Sequence, residues 1–135
     1  MKKLVETAEA IFDEYRLQII KLLQTQEMCV CELAALLDLS SSRISQHLAI
    51  LKRTKIVKER REGKWIYYSL IPKTIEGFNK TWVQLMEVPM NSLPEMKNVT
   101  KRLHKRDLVE VREDCITKKV SNIHQLTKEG TNDGN

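Results

Sequence analysis

A mainly α chain carrying one small β-hairpin is the fold this sequence predicts, and three observations predict it. Apolar residues recur at spacings of three and four from Leu4 to Tyr15 and again from Ile75 to Met86, the period of helices with one face buried. Between these runs lie two short helical stretches separated by the turn Asp38-Leu39-Ser40. The period then becomes β-type over residues 56–60 and 65–70, where β-branched and aromatic residues flank a turn glycine, Gly63.

Taken in order, Leu4, Val5, Ala8, Ile11, Phe12 and Tyr15 line one face of an amphipathic helix. Residues 16–24 continue as a helix apolar on most sides, through Leu17, Ile19, Ile20, Leu22 and Leu23. After the polar break Thr25-Gln26-Glu27, residues 28–37 read as a short helix. Ser40 or Ser41 then caps a further helix from Ser42 to about Arg53. Two short helices joined by a tight turn, the second rich in Ser, Arg, Gln and His, form a helix-turn-helix. The hairpin that follows, with Arg61-Glu62-Gly63-Lys64 at its tip, is then a wing. Pro72 closes it, and residues 74–88 are again amphipathic through Ile75, Phe78, Trp82, Leu85 and Met86. Pro89 and Pro94 bracket a linker. Residues 96–111 read as one polar helix, and 127–135 as disordered. The expected organisation is a winged helix-turn-helix domain over 1–90 and a tail over 91–135, partly helical or disordered, that carries Cys115.

Composition narrows the class. A chain of 135 residues is one domain's worth with an appendage. Hydrophobic residues make up 41% and aromatic residues 5%, so the core is largely aliphatic. No apolar run approaches the roughly 18 residues a membrane span needs, and the N-terminus shows no signal-peptide core. Three cysteines, an odd number, point to free thiols in a reducing cytoplasm rather than a disulfide framework. No glycine-rich phosphate loop, carboxylate dyad or nucleophile motif is present, so an enzyme is not expected.

The net charge is +5, and its distribution says more than its size. Residues 43–64 hold eight basic side chains (Arg43, Lys52, Arg53, Lys55, Lys58, Arg60, Arg61, Lys64) against Glu59 and Glu62. That is the footprint of a surface that meets phosphate. On the second helix, Ser41, Ser42, Arg43, Gln46 and His47 are available to reach double-stranded DNA. Arg43 has the geometry for guanine and Gln46 for adenine. For His47, base contact and packing both stay open. Ile44, Leu48 and Leu51 are core. Arg61 and Lys64 at the wing tip would lie over phosphate or the minor groove, while Lys52 and Arg53 touch backbone or solvent.

Three segments resemble one family. Glu27-Met28-Cys29-Val30-Cys31-Glu32-Leu33 is similar to the metal-box signature of the ArsR/SmtB winged-helix repressors. Ser42-Arg43-Ile44-Ser45-Gln46-His47-Leu48-Ala49-Ile50-Leu51 resembles that family's recognition helix, and residues 60–70 resemble its wing. The resemblance covers about residues 4–88, with one departure at Thr54-Lys55-Ile56, where many members have an Ala/Gly-rich turn. It implies a homodimeric repressor of operator DNA whose terminal helices pair through Leu4, Ala8, Ile11, Phe12, Phe78, Trp82 and Leu85. It also implies arsenite sensing by the cysteine box. The family's zinc-type site is not expected, because residues 74–88 contain neither His nor Asp.

Cys29 and Cys31, two residues apart on a regular helix, would stand about 200° from each other. Both grip one ion only if the helix start distorts, which makes that distortion the expected switch. A helix N-terminus is also expected to lower their thiol pKa. With Cys115 they make three thiolates, a number that suits As(III) or Sb(III), whereas Zn(II) usually takes four ligands. Cd(II) or Pb(II), and a thiol-redox switch, stay as alternatives.

Overall fold

The structure is a computed structural model that describes residues 1–129. It forms two compact units, one over Met1–Glu87 and a second from Val88 onward.

In the first unit, α1 (Lys2–Ile11) and α2 (Glu14–Leu23) are separate helices. The apolar period runs unbroken across the joint and gives no sign of it, but Asp13 stops the chain. Its backbone is extended, and its carboxylate accepts the Arg16 N–H at 3.1 Å as the N-cap of α2. The break lets Ala10 and Ile11 enter the same core as Ile19, Ile20 and Leu23.

Residues 28–37 also divide. Met28–Cys29 is a two-residue strand, β1, and the helix α3 covers only Val30–Leu37. A left-handed Asp38 (φ 52°) ends α3, a conformation that Asp tolerates better than most residues. Ser40 then caps α4 (Ser41–Arg53), its Oγ accepting the Arg43 N–H at 3.2 Å. Together α3 and α4 are the expected helix-turn-helix.

The hairpin pairs β2 (Val57–Glu62) with β3 (Trp65–Leu70) in the register Val57↔Leu70 to Glu62↔Trp65. Its loop is therefore only Gly63-Lys64, and Arg61 belongs to the strand. Gly63 takes the positive φ of 59° that a two-residue hairpin loop needs at its first position. β3 is the central strand, with β2 on one side and β1 on the other, through Met28↔Tyr68 and Cys29↔Tyr67. A winged helix-turn-helix is thus what the chain forms. Pro72 opens α5 (Pro72–Glu87) as its first helical residue. The core holds Ile19, Leu33, Ile44, Leu48, Leu51, Ile56 and Val57 fully buried, aliphatic throughout.

The second unit begins with two short 3-10 turns, Met90–Ser92 and Pro94–Met96. The single polar helix expected over 96–111 is instead two, α6 (Lys97–Lys105) and α7 (Leu108–Glu129), parted where Asp107 accepts the Val109 N–H at 2.8 Å. Of the segment expected to be disordered, 127–129 close α7, and 130–135 lie outside the described residues.

The departure at Thr54-Lys55-Ile56 has a structural meaning. α4 ends with the Ile56 N–H donating to Leu51 O (2.9 Å) and the Lys55 N–H to Lys52 O (3.0 Å), with Lys55 left-handed at φ 58°. This is the terminator in which glycine normally takes that position. A lysine there carries steric strain that glycine lacks, partly offset by the greater freedom glycine has when unfolded. Lys55→Gly is therefore expected to stabilise the chain by about 0.5–1 kcal/mol, read as a higher urea midpoint at unchanged slope. A fall in the midpoint would contradict this account.

Candidate nucleic-acid interface and thiol site

α4 buries Ile44, Leu48 and Leu51 and leaves Ser41, Ser42, Arg43 and Gln46 exposed. A helix of 13 residues is about 20 Å long, and these polar side chains sit at its start. The Arg43 guanidinium lies over the Tyr15 ring, 5.1 Å from its centroid.

His47 faces the other way. Its side chain is 15% exposed, its Nδ1 is 3.3 Å from Arg16 Nη1 and 3.9 Å from Asp13 Oδ1, and its ring stands 5.9 Å from that of Tyr15. Arginine has only donors, so Nδ1 is the acceptor in that contact. Arg16 is itself clasped to α1, with Nε donating to Ala10 O at 2.6 Å and Nη2 to Glu9 O at 3.0 Å. The backbone N–H of Arg16 holds the Asp13 carboxyl below its usual range against the opposing effect of burial. The Arg16 charge lowers it further.

The basic stretch is less free than its count implies. Lys52 Nζ donates to Glu59 at 2.7 Å, raising the lysine and lowering the glutamate. Arg60 grips Glu27 at 2.5 Å and Glu62 at 2.8 Å and lies over the Tyr67 ring. Arg61 and Lys64 are exposed, Lys64 stands 5.7 Å from the Trp65 ring, and neither has an ion pair among the described residues.

The two box cysteines are not on opposite sides of one helix. Cys29 is the extended N-cap of α3, and Cys31 lies in its first turn. Cys29 is buried and Cys31 exposed. The Cys29 N–H donates to Glu32 Oε1 at 3.0 Å, and the Cys29 sulfur accepts from the Glu32 backbone in return. Burial pushes the Cys29 thiol up despite the helix N-terminus, and the neighbouring Glu32 carboxylate adds to the rise. The lowered thiol expected from sequence is therefore corrected for Cys29, because desolvation outweighs the helix end. Cys115 is exposed on α7 of the second unit. No group of three His, Cys, Asp or Glu stands together among the described residues.

The expected dimer residues split. Leu4 and Ile11 are buried within their own chain, and Ala8, Phe78 and Leu85 are half-buried. Phe12 is 69% exposed, edge-on to Phe78 at 6.2 Å, and Trp82 is 50% exposed. Val5, Val83 and Met86 are exposed as well, and α5 has no fully buried residue.

Residues 13–59 match the model of the bacterial regulatory proteins of the arsR family. The chain is 40% identical over 80 residues to the HTH-type transcriptional regulator MJ1325 of Methanocaldococcus jannaschii, covering 58% of this chain and 90% of that protein. It belongs to the ArsR family. The arsenical resistance operon repressor of Escherichia coli is 41% identical over 69 residues, 50% of this chain and 59% of that one. A cadmium resistance regulator homolog of Staphylococcus aureus is 41% identical over 63 residues, 46% of this chain and 52% of that one. The chain spans about half the length of the first curated relatives it matches. Among solved structures, the homodimeric winged helix-turn-helix domain Mb0332 of Mycobacterium bovis aligns with a TM-score of 0.54 at 28% identity, over 64% of this chain and 81% of that one. No helix among the described residues is long and apolar enough to cross a membrane.

For this ArsR-family chain, sequence reasoning passed over Asp13, Tyr15 and Arg16 as functional neighbours of α4. Asp13 with Glu14 directly after it, an N-cap residue leading an acidic first turn, is a helix-start signal that a search for breaks would have found; the contact with His47 had no sequence signal. Because the Asp13 carboxyl is lowered in the fold, the stability it contributes is full above its ordinary value of about 3.9 and is lost as pH falls through the folded value. Asp13→Asn keeps a good cap but removes the charge. Urea unfolding from pH 7 to pH 2.5 is expected to show the wild type losing stability more steeply below about pH 4, so that the two curves converge in acid. Parallel curves would exclude the role of the charge.

Proposed function

We propose that the chain is a transcriptional repressor that binds operator DNA as a homodimer and is released when As(III) or Sb(III) is taken up by cysteine thiolates. The observation that carries the DNA reading is the row Ser41, Ser42, Arg43 and Gln46, held outward on α4 by its buried stripe, together with the exposed cations Arg61 and Lys64, which form no ion pair among the described residues. Base edges would be read from α4 and phosphate met by the wing. His47 serves this surface as a buttress, since its ring is packed inward against Tyr15, Asp13 and Arg16.

The thiol pair supports the inducer reading. Cys29 in extended backbone and Cys31 in the first helical turn are free of the opposition that a continuous helix would impose. When bound, a soft metalloid exchanges thiol protons for sulfur bonds. Cys29 would then give up its hydrogen bonding at the start of α3, where β1 also pairs with β3 of the wing. Cys115 is proposed as the third sulfur.

Two-fold pairing is supported by the exposed Phe12, Trp82, Val83 and Met86 on and beside an α5 that buries no residue fully in its own protomer. Trp82→Glu is expected to halve the mass measured by light scattering while leaving the far-ultraviolet circular dichroism unchanged. A dimeric Trp82→Glu would move the interface elsewhere.

The deciding experiment is anisotropy of labelled promoter DNA in excess reductant, titrated with As(III), Sb(III), Cd(II), Pb(II) and Zn(II). Release by As(III) or Sb(III) at low equivalents, lost in a Cys29→Ser, Cys31→Ser double variant, is expected. Release only by Cd(II) or Pb(II) would reassign the inducer. Release only when reductant is withdrawn and an oxidant supplied would make the thiols a redox switch.

A further inference from the structure

Arg43 has a long exposed side chain, and a bidentate contact with a base must restrict a group with many rotamers. The structure provides a restraint for it from outside the helix-turn-helix. The Tyr15 ring, in the first turn of α2, lies under the guanidinium at 5.1 Å. Tyr15 is itself half-buried, with its ring 5.9 Å from the inward-turned His47. Arg16 contacts His47 and is anchored by hydrogen bonds to two carbonyls of α1. A line of contacts therefore runs from the α1–α2 joint through His47 and Tyr15 to the guanidinium.

We propose that Tyr15 is a specificity-determining positioning residue, whose ring face holds the Arg43 guanidinium in the pose from which it reads a base pair. This rests on the DNA reading of α4. Stacking of an arginine on an aromatic face is worth most when the arginine has no competing carboxylate, and no ion pair involves Arg43 among the described residues. A positioning role predicts a signature that a packing role does not. Losing the ring should remove discrimination at the one base pair that Arg43 reads, and should leave the number of phosphate contacts unchanged.

The test uses the full chain and a duplex that the wild type itself selects from a randomised pool. Tyr15→Leu is expected to lower preference for the selected duplex over random DNA by about 2- to 5-fold. In a scan of single base-pair changes, that loss falls on the same position that Arg43→Ala makes indifferent. Tyr15→Phe, which keeps the ring, behaves as wild type. In the Arg43→Ala background, Tyr15→Leu adds nothing. The salt slope is unchanged by Tyr15→Leu, whereas Lys64→Ala, a wing control, reduces it by about one.

Equal loss on selected and random DNA, additive loss in the Arg43→Ala background, or tighter selective binding by Tyr15→Leu would each overturn the proposal. Should Tyr15→Leu not fold, side-chain Nε–H relaxation of the wild type decides, because Arg43 is expected to be more ordered than the wing residue Arg61. Equal order in the two overturns the proposal. A wild type that selects no sequence from the pool removes the DNA reading itself. A selective wild type with an indifferent Tyr15→Leu removes only the role of Tyr15.

Discussion

Ile44, Leu48 and Leu51, recurring at intervals of four and three along α4, are 0–1% exposed and belong to one cluster with Ile19, Leu33, Ile56 and Val57. Each such side chain contributes about 1.5–3 kcal/mol on burial, and the stripe fixes the rotation of α4 about its axis. Once that rotation is set, Ser42, Arg43 and Gln46 have no choice but to face outward. The wing depends on the same packing, because Ile56 and Val57, which lead into it, are part of the cluster. The Ile71 N–H closes the hairpin's exit onto Ile56 O at 2.8 Å. The proposed reading surface is thus a by-product of how an aliphatic core is filled.

Charge is distributed around this frame according to what each cation can reach. Lys52 and Arg60 find carboxylates within the fold, and Arg60 joins Glu27, just ahead of β1, to the outer strand β2. Such exposed pairs contribute little to stability, yet they remove two cations from the surface that could meet phosphate. Arg61 and Lys64 form no ion pair among the described residues, which leaves positive charge at and beside the wing tip. Arg43, Arg53, Lys55 and Lys58 likewise form no ion pair among the described residues, so free charge runs along the stretch as well as at the tip.

The junction at Cys29 joins the two halves of the proposed mechanism. One residue ends β1, caps α3, carries a buried thiol and pairs across the sheet with Tyr67, whose ring also underlies Arg60. In that proposal a change at the sulfur would act on the helix-turn-helix through the first turn of α3 and on the wing through β3. Burial pushes that thiol up, so the proposed uptake of an ion there would entail both proton loss and local rearrangement.

Period and turn chemistry by themselves determined the helix-turn-helix, the hairpin and the outward face of α4, because these follow from residues within a turn or two of one another. The spacing of Ile44, Leu48 and Leu51, the cap at Ser40 and the glycine at position 63 needed no distant partner to be read. Tertiary structure alone decided that Met28 and Cys29 join the sheet, since a two-residue strand has no period and exists only because β3 offers an edge. It decided that His47 turns inward, that Lys52 and Arg60 are paired, and that Leu4 and Ile11 serve their own core while Phe12 and Trp82 remain exposed. In each case the outcome depends on which group from a distant part of the chain arrives beside the residue, and local sequence does not encode that meeting.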